Sequence, residues 1–182
     1  MQKFIITINE PNQPIVADEQ IACYVLSTCL PQTELTKYIS NIRNVDKLIL
    51  LQGSDSPDLC QKYRCDGVLL EIDDKSPYKK QILPIRDKLG NKKIIAAIIP
   101  LLRHAAMIIG ETEPEFVTFK LYSIDEMDKA KKIVEWYNEL FLIQSAVVGQ
   151  VDSRLLMSLE TDFVLISPKN YKILVAKNES LD

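Results

Sequence analysis

Histidine is almost missing from this 182-residue chain: His104 is the only one, and the four cysteines, Cys23, Cys29, Cys60 and Cys65, show no Cys-x-x-Cys spacing. That scarcity excludes a zinc cluster and offers no disulfide framework, so a reducing, cytoplasmic setting suits these thiols best. Long apolar runs are missing too. The stretch from Ile94 to Leu102 is interrupted by Pro100 and followed by Arg103, well short of the roughly 20 residues that cross a bilayer. A soluble protein with no membrane partner is expected. Charge of one sign is also lacking: the net charge is −3, with Lys and Arg scattered among acidic residues. Nucleic acid is therefore excluded as a partner, because nothing here would attract a phosphate backbone. The start of the chain, Met1 to Ile6, runs into Asn9-Glu10-Pro11 without a small-residue cleavage site, and no targeting signal is read.

What is present is a repeated phrase, an acidic residue followed by an apolar run. It reads Asp66-Gly67-Val68-Leu69-Leu70, Glu115-Phe116-Val117-Thr118-Phe119 and Asp162-Phe163-Val164-Leu165-Ile166, with the acids 49 and then 47 positions apart. Other β-branched runs lie between, so one repeat holds two strand-plus-helix units. Near-continuous apolar strands alternating with helical patterns are what a parallel sheet buried on both faces requires. Eight such strands can be placed, at Phe4 to Ile8, Ala22 to Ser27, Leu48 to Gln52, Gly67 to Ile72, Ile94 to Ile99, Phe116 to Leu121, Gln144 to Val148 and Phe163 to Ile166. Eight is the number that closes a β/α barrel. With 47% hydrophobic residues, residues 1–182 read as one domain around one core.

The helices have local start signals. Ser56-Pro57 and Ser76-Pro77 each offer an N-cap with proline behind it, and Ser123-x-x-Glu126 is a capping box. A long helix is predicted from Ile124 to Phe141, a second from Leu35, Tyr38, Ile39 and Ile42, and a third through Ala105 and Ile109 that ends at Gly110 as its C′ residue. Asp152 reads as the N-cap of a helix to Glu160. Pro84 is expected to kink or restart its helix. The segment Asn9 to Gln20, with Pro11 and Pro14, is poor helix material, so the first crossover helix should be reduced or missing. The expected fold is a trimmed α/β structure, a (β/α)8 TIM barrel. The segment after Ser167 carries no assigned role.

One stretch goes further. Cys65-Asp66-Gly67-Val68-Leu69-Leu70-Glu71-Ile72-Asp73-Asp74, Leu89-Gly90, Ile94-Ile95-Ala96-Ala97, Arg103-His104-Ala105-Ala106-Met107 and Glu115-Phe116-Val117 together resemble thiamine phosphate synthase and its thiazole tautomerase relatives. The resemblance runs from about Leu48 to Ser167. It implies a (β/α)8 barrel and a Mg²⁺-dependent transferase that joins a pyrimidine diphosphate to a thiazole phosphate with loss of pyrophosphate. The family's acidic Mg²⁺ ligand falls on Asp74 or Asp73, and Asp55 is the second acidic candidate. The family's strand histidine corresponds to Leu69, and its serine and histidine after the fifth strand to Ile99 and Leu101. Its Gln-x-Arg-x-Lys run is replaced by Ser27-Thr28-Cys29-Leu30, its Asn-Asp pair by Gln52-Gly53-Ser54-Asp55. Its glycine-rich loop becomes Lys120-Leu121-Tyr122-Ser123, and its Gly-Gly pair becomes Val148-Gly149-Gln150. Phosphoryl chemistry depends on positioned positive charge and amide cradles. Losing both implies a degenerate, non-catalytic relative.

No catalytic residue can therefore be named. Asp73, Asp74 and Asp55 are the metal candidates, for Mg²⁺, with an acidic helix-start region as the plainer reading of the first two. Lys120, Arg103, Gln150 and Ser167 are the ligand-binding candidates, at or near strand ends. Lys120 reads equally as a replacement cation in the mouth or as a lysine snorkelling from a strand end, and Arg103 and His104 as solvated helix residues. Trp136 and Tyr137 read as packing residues, with a homodimer contact as the alternative. Two functions of the mouth are carried forward, beside a third reading in which the outer helices carry the function by association with a partner, which an exposed apolar stripe around Trp136 would support. One is a barrel without catalysis whose mouth holds a small phosphorylated ligand, favoured by the apolar Leu69, Ile99 and Leu101. The other is an active Mg²⁺-dependent synthase using Asp55, Asp74 and Lys120.

Overall fold

A computed structural model describes residues 2–178. Eight parallel strands close into a barrel in chain order: β1 (Lys3–Ile8), β2 (Ile21–Ser27), β3 (Leu48–Gln52), β4 (Gly67–Glu71), β5 (Ile94–Pro100), β6 (Phe116–Leu121), β7 (Gln144–Gly149) and β8 (Phe163–Ile166). Between and after them come α1 (Gln32–Asn44), α2 (Ser56–Tyr63), α3 (Tyr78–Leu89), α4 (Arg103–Gly110), α5 (Met127–Leu140), α6 (Ser153–Met157) and α7 (Pro168–Asn178). The (β/α)8 barrel is thus the observed fold, every expected strand is present, and no helix joins β1 to β2.

Side chains alternate along each strand, which divides the apolar residues into two layers. Ile5, Val25, Leu50, Leu69, Phe116 and Leu165 fill the interior. Small Ala96 and Ala146 on the strands beside β6 leave room there for the Phe116 ring, the interlocking of large and small that barrel interiors need. The opposite parity, including Ile6, Tyr24, Leu51, Ile99 and Phe119, packs under the helices. The helices present the faces that their periodicity predicts: α1 buries Leu35, Tyr38, Ile39 and Ile42, and α5 buries Ala130, Ile133, Val134 and Tyr137.

The repeated acids have a common task at the opposite end of the barrel from the strand ends that carry barrel chemistry. Asp66 accepts the backbone N–H of Ile49 at 2.8 Å, Glu115 that of Ile95 at 2.6 Å and Asp162 that of Ser145 at 2.8 Å. Each acid immediately precedes an even strand and latches the second residue of the odd strand before it. The first quarter follows the same geometry with a different acceptor: the N–H of Phe4, second in β1, meets the backbone carbonyl of Gln20, the residue before β2, at 2.9 Å.

That same quarter lacks its helix, and two tyrosines hold the substitute. The Tyr38 hydroxyl accepts the Gln13 N–H at 2.6 Å and donates to the Gln13 carbonyl at 3.2 Å. Tyr24 does the same for Val16, at 2.8 and 2.7 Å. Four backbone hydrogen-bonding demands of an irregular segment are met by two side chains, in keeping with the cost of leaving such groups unpaired.

Several local expectations are corrected. Asp55, not Ser56, occupies the N-cap of α2, and Pro77 that of α3, each without a side-chain capping bond. The Ser76 N–H is instead taken by Asp73 Oδ1 at 3.1 Å, which shifts the helix start by one residue. α3 runs unbroken through Pro84, an exposed position. Gly110 lies inside α4 and is required for space: a Cβ there would come within 2.5 Å of the Phe141 ring. The expected Ile124-to-Phe141 helix is divided into a 3-10 turn, Ile124–Glu126, and α5, with Glu126 reaching back to the Ser123 N–H at 3.4 Å. Asp152 caps its helix through the Arg154 N–H at 2.9 Å, but α6 ends at Met157. The stretch after Ser167 forms α7, whose Tyr171 packs edge-on against Phe4 at 5.2 Å between ring centres.

Candidate functional site

Inward-facing positions change character at the carboxyl ends of the strands. Below them the interior is apolar except for the buried Thr118; at the top come Ser27, Gln52, Glu71 and Lys120, which all line recesses. Two clefts adjoin there. The larger, about 520 Å³, is bordered by Asn9, Ser27, Cys29, Gln52, Ser54, Glu71 and Gln81. The smaller, about 420 Å³, is bordered by Glu71, Asp73, Asp74, Pro100, Lys120 and Tyr122. Glu71 and Ile72 line both. A third recess of about 280 Å³ lies at the β8 end, with Thr7, Asn9, Ser167 and Lys169.

Glu71, which borders both clefts, is held in an ion pair. Lys120, near the end of β6, reaches across β5 and donates to the carboxylate of Glu71 at the end of β4. Its ammonium also lies 5.2 Å from the centre of the Tyr122 ring. The hydrogen bond to Glu71 raises the Lys120 pKa above the ordinary lysine value, and partial burial opposes it. The side chains are 33% and 52% exposed, a setting in which such pairs contribute about 0–1 kcal/mol. The pair thus places charge in the mouth without locking it.

Asp73 and Asp74 do lie in the mouth, on the loop after β4. Asp73 Oδ1 accepts the N–H groups of Lys75 and Ser76 at 2.9 and 3.1 Å. Gln81 grips the same loop: its Oε1 accepts the Asp73 N–H at 3.1 Å, and its Nε2 donates to the carbonyls of Asp73 and Ser76 at 2.9 and 3.0 Å. Asp55 is exposed at the start of α2 and does not border the cleft that holds Asp73 and Asp74. Among the described residues no three His, Cys, Asp or Glu side chains gather as a metal-holding group. Mg²⁺ commonly uses one or two carboxylates, waters and ligand phosphates, and Asp73 and Asp74 fit that arrangement.

The ligand candidates separate. Lys120 lines the smaller cleft and Ser167 the recess at β8, where its Oγ accepts the Asn170 N–H at 3.3 Å at the start of α7. Arg103 lies in the outer helical layer, with its guanidinium 5.1 Å from the centre of the Trp136 ring. Its neighbour His104 meets Tyr78 edge-on at 6.2 Å. Gln150 is exposed after β7 and borders none of these three recesses. The side chains of Ile99 and Leu101 pack under the helices, and Leu69 lies in the interior. Ile99 also borders the smaller cleft, whereas Leu69 and Leu101 line neither of the two adjoining clefts, so the three do not form the wall of one mouth pocket as expected.

Glu71, Gln81 and Lys169 were missed by sequence reasoning. For Glu71 the signal existed: it follows Gly67 and Leu69 at period two, so a carboxylate had to face inward. Gln81 and Lys169 act from helices, where nothing local marks them.

No family model matches the chain. A stretch of 125 residues is 28% identical to the thiamine-phosphate synthase of Erythrobacter litoralis, covering 63% of this chain and 56% of that protein. Among solved structures, a mutant tryptophan synthase alpha-subunit from Pyrococcus furiosus superposes with a TM-score of 0.67 at 13% identity, over 92% of this chain and 86% of the other. Tryptophan synthase from M. tuberculosis gives 0.66 at 11%, over 92% and 83%. The structural likenesses establish the fold alone. The chain is a TIM barrel with a weak sequence likeness to thiamine-phosphate synthase.

Proposed function

We propose that this barrel is a catalytically degenerate relative of thiamine phosphate synthase whose mouth holds a small phosphorylated ligand. The observation that carries the reading is the make-up of the strand ends: recesses of ligand size meet there, lined by amides and hydroxyls, with the carboxylates of Glu10, Glu71, Asp73 and Asp74 beside the two lysines Lys120 and Lys169. Barrel proteins often seat phosphate after the last strands, at the start of a short helix, and Ser167 and Lys169 border the recess at the start of α7. Lys120 supplies the other cation. Asp73 and Asp74, with waters and ligand phosphate oxygens, would hold Mg²⁺. The ion would offset phosphate charge.

The case against turnover is chemical. A diphosphate leaving group needs cations and amide donors placed around it, and the run Ser27-Thr28-Cys29-Leu30 brings none to the β2 end. The alternative is an active Mg²⁺-dependent synthase, and the location of Asp73, Asp74 and Lys120 in one cleft favours it. A cytoplasmic location goes with either reading, and among the described residues no helix is long and apolar enough to cross a membrane. Fully exposed Leu142, in the segment after α5, suits a homodimer contact.

The test is thiamine phosphate formation from pyrimidine diphosphate and thiazole phosphate with Mg²⁺, beside calorimetry with thiazole phosphate alone. No product, with binding that weakens in Lys169→Ala, is expected. Product formation abolished by Asp74→Ala would establish the synthase instead.

A further inference from the structure

We infer that Glu71 sets the ligand specificity of the mouth by acting as an internal competitor for Lys120, so that a phosphate reaches this cation only by displacing a carboxylate of the same chain. The inference rests on the mouth being a phosphate site and adds a residue that controls which anions enter it.

Three observations support it. Lys120 is the single Lys or Arg among the described residues that line the two adjoining clefts. Its ammonium is already bound by the Glu71 carboxylate, which has the charge and oxygen geometry of a phosphate edge. Glu71 also borders both clefts, so it can leave Lys120 without being buried, swinging towards Ser27 and Gln52 in the larger one. The exposure of both partners makes the exchange reversible, since partly hydrated ion pairs are weak.

The consequence is discrimination by charge. A monoanion matches what Glu71 already provides and gains little by replacing it. A phosphate dianion, or a phosphate brought with Mg²⁺ on Asp73 and Asp74, offers more than the carboxylate that it displaces. The negative field of Glu71 otherwise keeps anions out of the larger cleft, which has no cation of its own.

The experiment uses inorganic phosphate as the probe at fixed ionic strength, with affinity measured by NMR titration of the Lys120 Nζ signals and the backbone amides of residues 71–74. Glu71→Gln keeps the size of the side chain and removes its charge; it is expected to bind phosphate about tenfold more tightly than the natural chain, by the weight of one nearby charge. Glu71→Ser should show the same gain, which guards against an effect peculiar to glutamine. Adding Lys120→Met to either variant should abolish the gain. Equal phosphate affinity with and without the Glu71 carboxylate, or a gain that survives loss of Lys120, would overturn the inference. The fate of the phosphorylated-ligand reading is decided separately, by thiazole phosphate binding to the natural chain.

Discussion

The carboxylate of Asp66 accepts the backbone N–H of Ile49 at 2.8 Å, while its own N–H donates to the Ile49 carbonyl at 2.9 Å, so one residue engages both main-chain groups of the β3 position opposite it. Asp66→Ala removes the charged acceptor and leaves a strand N–H to find water. The expected loss is about 1.5–3 kcal/mol of stability, read by urea unfolding. Glu139→Ala, on the exposed end of α5, should stay within about 0.5 kcal/mol of the natural chain.

Gly67 begins β4 where a Cβ would lie 2.0 Å from the carbonyl oxygen of Ile94. That atom is backbone in a paired strand, so it cannot step aside as a side chain could. Gly67→Ala should cost at least about 1–3 kcal/mol and lower the melting temperature accordingly. An unchanged melting temperature would mean that β4 and β5 separate at their starts more easily than their pairing implies.

Acid should weaken the strap between β1 and β2. The Tyr171 hydroxyl beside Asp18 and the Gln20 N–H, at 2.8 Å, hold the Asp18 carboxyl below its ordinary value of 3.8. A depressed folded pKa stabilises above the unfolded value and loses that contribution as pH falls through the folded one. The stability advantage of the natural chain over Asp18→Asn should therefore be full at neutral pH and vanish below the carboxylate range. Urea midpoints measured from pH 7 downward test this, and a difference that persists at the acid end would contradict it.

The four thiols should divide sharply. Burial pushes both Cys23 and Cys65 up to about 12 and also raises Cys60, whereas Cys29 is exposed at the rim of the larger cleft. Thiolate is the reactive form. A thiol reagent at neutral pH should label one cysteine quickly, with Cys29→Ser removing the fast phase. Two or more fast equivalents would show that the barrel opens on the labelling timescale.

The strands were readable because a parallel barrel buries both faces of each one, which forces continuous apolar runs such as Ile94 to Ile99. The acids were visible as a repeat for a related reason: each quarter needs an acceptor at a fixed offset before its even strand. Gly110 was misread because a glycine near a helix end serves equally to turn the chain or to make room. The choice was made by Phe141, in the segment after α5. Lys120 and Glu71 are 49 residues apart on alternate strands, so their pairing follows from closure of the barrel, which no local pattern encodes. Arg103 was legible as a residue near a strand end, but its direction was set by Trp136 on the next helix.

The four quarters of the barrel are fastened by two kinds of part. In three of them the fastener is a carboxylate, which a single codon change can remove and which strong acid can neutralise. In the first it is the main-chain carbonyl of Gln20 holding Phe4, an atom that every amino acid carries. The quarter without a helix thus keeps the one closure that neither mutation of a side chain nor protonation can take away, and β1 and β2 are joined at their starts by the least variable chemistry a protein has.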